Sequence, residues 1–110
     1  MPRILKSDQT LVLINTFKVA PENADELLAV LTAATDEVMR YVPGFISASF
    51  HKALDGKSVA NYAQWESEEA FDAMLKDENA RIHMKKAGDL AESFEPIQYK
   101  AVSVHEHSVA

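Results

Sequence analysis

Asp55-Gly56 lies between two runs of alternating side chains, residues 45–54 and 58–65, an arrangement that specifies a β-hairpin. In the first run Phe45, Ser47, Ser49 and His51 fall on one face and Ile46, Ala48 and Phe50 on the other. In the second run Asn61, Ala63 and Trp65 share a face, opposite Ala60, Tyr62 and Gln64. That second arm ends at the only tryptophan of the chain and runs directly into Ser67, a favoured N-cap residue. Glu68 and Glu69 then occupy the first turn of a helix, where the macrodipole favours negative charge.

The hairpin sits in the middle of a longer order of elements. Residues 10–19 read as a first strand, in which Leu11, Val12, Leu13 and Ile14 are apolar on both faces and therefore call for cover on both sides. Pro21 stops it, and Asn23 with Glu26 three residues later forms a capping-box pattern at the start of a helix. Leu27, Leu31, Ala34, Val38 and Tyr41 carry its apolar stripe to about residue 41, where Pro43-Gly44 turns the chain into the hairpin.

After the hairpin, Ala70, Phe71, Met74 and Leu75 mark a second helix that residues 76–79 interrupt or bend. Helical spacing resumes at Ala80, His83 or Met84, and Ala87, and ends at Gly88. Residues 92–96 read as a connection and 97–104 as the last strand. The order βαββαβ is that of a ferredoxin-like α+β fold with a four-stranded antiparallel sheet and both helices on one face. Its other face needs a partner, so the expectation is a homodimer in which two sheets face each other. The chain is read as one domain, 1–110, with a lead-in over 1–9 and a polar tail over 105–110.

Charge and composition narrow the partners. Seventeen acidic against eleven basic residues give a net charge of -6 with no basic run, which argues against nucleic acid and anionic membrane surfaces. The absence of cysteine removes disulfides, thiolate metal sites and a cysteine nucleophile. Neither a signal peptide nor an apolar run of about 20 residues is legible, so the expected location is cytoplasmic.

The chemistry concentrates on the second hairpin arm. Asn61 and Trp65 place a carboxamide and an indole N–H on one strand face beside Ala63, two polar handles in an apolar wall. His51 on the neighbouring strand is the candidate proton acceptor, imidazole being the side chain suited to that task near neutral pH. Asn15 interrupts the apolar face of Leu11, Leu13 and Phe17, either as a hydrogen-bonded core amide or as a second amide of a cavity. His105 and His107 are too few for a metal site, and none is expected. No phosphate-cradling glycine loop or Gly-x-Ser-x-Gly elbow exists.

Pro43-Gly44-Phe45, Ser49-Phe50-His51-Lys52, Asp55-Gly56, Asn61-Tyr62-Ala63-Gln64-Trp65 and Ser67-Glu68-Glu69-Ala70-Phe71 together resemble the antibiotic biosynthesis monooxygenase family. The resemblance spans about residues 10–105 and is densest over 43–75. It implies a dimeric α+β barrel and an oxygenase that uses O2 on a phenolic, quinol or anthrone-like aromatic, with no cofactor. It also implies catalytic roles for Asn61 and Trp65, joined here by His51, with Asn15, Phe71, Met74 and His83 as substrate contacts. The tyrosine that quinone-forming members carry six residues after the tryptophan is Phe71 here. Their arginine on the second helix has only Lys85, Lys86 or Arg81 nearby. Haem-degrading relatives of the superfamily carry an asparagine on the first strand, and a tryptophan and histidine on the second helix. The matching places are Asn15, Met74 and Met84, with His83 one residue out of register. Haem degradation, or a non-catalytic binding dimer, are the alternatives.

Overall fold

The computed structural model describes residue 4 and residues 10–108. The lead-in expected over 1–9 therefore lies outside the described residues apart from residue 4, as do the last two residues of the tail. The elements are β1 (Leu11–Lys18), α1 (Ala24–Glu37), β2 (Phe45–Lys52), β3 (Ser58–Trp65), α2 (Glu68–Leu75), α3 (Glu78–Leu90) and β4 (Ser93–Tyr99). The four strands form one antiparallel sheet in the order β2-β3-β1-β4, the ferredoxin-like arrangement that the order of elements implies.

Each boundary has a local cause. The Ser67 hydroxyl accepts a hydrogen bond from the Ala70 N–H at 3.1 Å and starts α2. Asp77 does the same for α3, accepting from Ala80 N–H at 2.9 Å. The interruption at 76–79 is thus a fresh N-cap, and it splits the second helical region into two helices. Asn23 caps nothing: Pro21–Asn23 form a 3-10 turn that holds Asn23 in the αR region, with no side-chain cap bond. At the far end α1 stops at Glu37, and a second 3-10 turn, Met39–Tyr41, follows. The change of pitch takes Tyr41 off the apolar stripe, and it is 75% exposed.

The last strand starts earlier than residue 97 and ends at Tyr99. Pro96 lies within it, opposite Asn15, which an edge strand tolerates because only one side of its ladder is paired. Nor does Gly88 end α3. A Cβ there would come within 3.2 Å of the Phe94 ring, so the glycine lets β4 pass close to the helix.

The core lies between the helices and one sheet face, in two clusters. Leu13, Ala63, Trp65, Phe71, Met74 and Ala80 form one, and Phe17, Val19, Ala24, Leu27, Val59 and Ala87 the other. Burial of a side chain such as Leu27 or Val59 contributes about 1.5–3 kcal/mol. The opposite face is not bare within one chain. Val12 and Gln64 are buried there, and Ile4 with residues 99–101 and 103–105 flank a second groove over Val12, Ile14 and Tyr62.

Gly44 fixes the entry to β2. Its φ of 90° is a glycine conformation, a Cβ would collide with the Ala70 Cβ, and its carbonyl accepts from Glu66 N–H at 2.8 Å. Gly44→Ala is expected to lower stability by about 3 kcal/mol, read as a fall in the urea midpoint at constant m-value.

Candidate active site

Between the sheet and the helices lies a cleft of about 550 Å³. Its floor follows from strand pairing, because directly paired residues on neighbouring strands present their side chains to the same face. Asn61 of β3 pairs with Asn15 of β1 on one side and with Phe50 of β2 on the other. Ala63 pairs with Leu13 and Ala48, and all seven of the floor residues Leu13, Asn15, Ala48, Phe50, Asn61, Ala63 and Trp65 line the cleft. Phe71, Met74 and Leu75 from α2, residues from 81 to 88 of α3, and Leu31, Ala34 and Thr35 of α1 complete the walls.

Trp65 is held as a wall of this cleft. Its ring meets Phe45 edge-on at 5.3 Å and 83° and Phe71 at 5.9 Å and 66°, and it is 2% exposed. Phe45 reaches that position through a β-bulge: it pairs with Trp65, yet Ser47 pairs with Gln64, so Phe45 and Ile46 oppose one residue. The bulge corrects the alternation read from sequence. Phe45 joins Ala48 and Phe50 on the cleft side, whereas Ser47, Ser49 and His51 turn away.

His51 therefore does not share the pocket of Asn61. It pairs with Ala60, is exposed, and its Nε2 is hydrogen-bonded to Ser49 Oγ at 3.0 Å on the opposite sheet face. A proton acceptor for the cleft must come from elsewhere. Asn61, Trp65, Asn15, Phe71, Met74 and His83 all line the cleft, so six of the seven candidate site residues converge. Arg81, Lys85 and Met84 line it too. Lys86 does not, although Lys85 and Lys86 are neighbours in sequence. The helical register decides between them.

The polar content of the floor is unusual. The side-chain oxygens of Asn15 and Asn61 are both buried and have no hydrogen-bond partner. A buried acceptor left unmade costs about 1–3 kcal/mol, so two of them side by side in an apolar cleft fit groups kept for a ligand. A half-turn about χ2 presents either the oxygen or the N–H₂ of a carboxamide, so the pair can accept from a hydroxyl or donate to an oxyanion. Among the described residues no group of three or more metal-ligating side chains exists, and His105 and His107 lie beyond the last strand.

A sheet face bearing paired amides and an indole, walled by three helices, can be compared with known proteins. The family model for antibiotic biosynthesis monooxygenase matches residues 10–86. The chain belongs to that family. It is a monooxygenase by this membership and by its likeness to tetracenomycin-F1 monooxygenase of Streptomyces glaucescens, 45% identical over 83 residues, which cover 76% of this chain and 74% of the relative. The monooxygenase from the gene ActVA-Orf6 of Streptomyces coelicolor, solved with nanaomycin D, superposes with a TM-score of 0.83 at 30% identity. That match covers 91% of this chain and 94% of the other. The fold recurs in SnoaB, a cofactor-independent oxygenase from Streptomyces nogalater, at a TM-score of 0.71 and 21% identity, over 87% of this chain and 96% of that one.

If the two amides are held unsatisfied for a ligand, removing one stabilises the empty protein. Asn15→Leu is expected to raise the unfolding free energy by about 1 kcal/mol, seen as a higher urea midpoint. A lower midpoint would show that the amide supports the core.

Proposed function

We propose that this monooxygenase oxidises a phenolic, quinol or anthrone-like aromatic with O2 and no cofactor, with Asn61 and Trp65 as donors in the cleft. The observation that carries the reading is the pair of buried, unpartnered amide oxygens, Asn15 and Asn61, in a cleft lined mostly by apolar and aromatic side chains. Apolar walls suit a fused aromatic, and the few polar groups suit its oxygens. The substrate class is also supported by the relatives, one of them a tetracenomycin-F1 monooxygenase and another solved with nanaomycin D.

Reaction of O2 with a closed-shell organic molecule is spin-restricted, so a cofactor-free route needs a substrate able to pass a single electron to oxygen. A phenolate or enolate is such a species. The protein's tasks are then to take a proton, to hold the resulting oxyanion, and to keep water out. The Asn61 N–H₂ and the Trp65 indole N–H serve as oxyanion donors, with Asn15 orienting a neighbouring hydroxyl. With His51 on the other face, His83 is the imidazole of the lining and the candidate proton acceptor. Electron transfer and radical recombination give a hydroperoxide at the ring carbon. Its collapse converts an anthrone CH₂ to a carbonyl and releases the second oxygen atom as water. Met74 and Phe71 pack the ring system, and Phe71 keeps Trp65 in place.

The assembly proposed for this activity is a cytoplasmic homodimer. Half-buried Ile14 and Tyr62, with exposed Ile97 and Tyr99, offer the outer sheet face to a second copy. Sedimentation of the wild type is expected to give twice the chain mass, and Ile97→Asp to shift it to the single-chain mass.

Oxygen uptake with an anthrone tests the chemistry. Asn61→Ala combined with Trp65→Phe is expected to lower kcat by about 100-fold or more, and His83→Gln by a similar factor. Equal rates in wild type and the double variant would remove the proposed roles. Titration with hemin is expected to leave no shifted Soret band, and a saturable shift would favour the haem-degrading alternative.

A further inference from the structure

The charged side chains of the cleft are all of one sign. Although acidic residues outnumber basic ones seventeen to eleven in the chain, among the described residues no aspartate or glutamate lines the cleft, and its ionic residues there are Arg81 and Lys85, with His83 between them. Burial separates the lining into two zones. Leu13, Ala63, Trp65, Phe71 and Met74 are buried and form the interior. Arg81, Lys85, Phe94, Pro96 and Gln98 are exposed and form a rim where α3 faces β4. Cationic charge is thus confined to the rim, and the interior is apolar apart from the amides.

Residues four apart on a helix lie one above the other, so Arg81 and Lys85 edge the same strip of the opening. Arg81 makes no side-chain hydrogen bond or ion pair among the described residues, leaving its guanidinium fork open. Lys85 is bonded to Asp89 at 3.0 Å, with side chains 78% and 68% exposed. Solvent screening makes such a pair weak, and the lysine can exchange it for a ligand without desolvating. Glu78 lies a turn before Arg81 but pairs with neither cation and does not line the cleft.

We propose that this rim selects aromatic substrates that carry a carboxylate, with Arg81 gripping the carboxylate and Lys85 adding charge beside it. The proposal rests on the assignment of the cleft as the site for the aromatic substrate. Ring systems enter between Trp65, Phe71 and Met74 while an acidic substituent stays at the α3–β4 rim, where water still reaches it and its charge need not be buried. The planar guanidinium matches a carboxylate in a bidentate fork, which sets the orientation of the ring inside as well as adding affinity. A carboxylated substrate is thereby held with its opposite end towards Asn15 and Asn61. Specificity at the rim is separate from chemistry at the floor.

Binding can be read without turnover, because Trp65, the sole tryptophan, lines the cleft and its emission reports occupancy. The probes are anthraquinone-2-carboxylate and anthraquinone-2-carboxamide, alike in ring and size but differing in charge. The wild type is expected to bind the carboxylate about fivefold more tightly at low salt, the ratio shrinking at about 0.3 M salt as screening sets in. Arg81→Gln is expected to bring the ratio to about one. Lys86→Gln removes a like charge five residues along the helix, next to Lys85 but outside the lining, and is expected to keep the wild-type ratio. Equal affinity of the wild type for both probes, a ratio that survives Arg81→Gln, or an equal loss in Lys86→Gln would each overturn the proposal. Carboxylate preference in a protein that consumes no oxygen with an anthrone would refute the oxygenase reading alone. Oxygen uptake without the preference would refute this one alone.

Discussion

The pairing register of β3 governs the rest of the molecule. It is a central strand, bonded along its length to β1 and β2, and its side chains alternate strictly between the helix-covered face and the outer face. A slip of one residue would exchange Asn61, Ala63 and Trp65 for Ala60, Tyr62 and Gln64 and take the Asn61 amide and the indole out of the cleft. What resists the slip is the end of the strand. Trp65 is wedged between Phe45 and Phe71, Glu66 N–H bonds to the Gly44 carbonyl, and Ser67 caps α2 immediately after. One aromatic cluster therefore ties the hairpin entry, the strand end and the first roof helix together.

From that anchor the cleft opens in the direction where packing is thinnest. Residues near Trp65 are buried, whereas every residue of β4 is exposed, and the side chains of α3 that reach the cleft are mostly exposed too. The fresh cap at Asp77 matters here, because it lets α3 take its own direction instead of continuing α2. Gly88 then allows Phe94 of the rim to lie against α3 beside Phe17, their rings 6.0 Å apart. A polar pair at the floor and cations at the rim leave an apolar passage between them. In the proposed reaction, that division lets orientation be set outside and chemistry be done inside. It also carries a stability penalty, since two buried amide oxygens without partners are tolerated instead of being replaced by hydrocarbon.

Much of this was legible in residue order. The hairpin at Asp55-Gly56, the Ser67 cap and the apolar stripes of the helices are local patterns with local causes, and they appear where the spacing puts them. Errors arose where a competing local turn or a non-local contact overrode a local pattern. Asn23 satisfies a capping-box motif, but the 3-10 turn ahead of it takes the geometry that the cap would need. Pro96 reads as a strand breaker until β4 is known to be an edge, and Gly88 reads as a stop until Phe94 is seen against it. Arg81, Lys85 and Lys86 are not told apart in the sequence, and only the lining of the cleft separates the first two from Lys86.

The sequence by itself determined the order of strands and helical regions and the strand face on which Asn61 stands beside Trp65. Those properties follow from periodicity and turn chemistry, which act over a few residues. Tertiary structure alone decided that Asn15 stands directly opposite Asn61, that a bulge brings Phe45 to Trp65, and that His51 points away from both. Each of these depends on the register between strands distant in sequence. Alternation fixes which residues share a face of one strand, but not which face of that strand meets the helices or which residue of the next strand lies alongside.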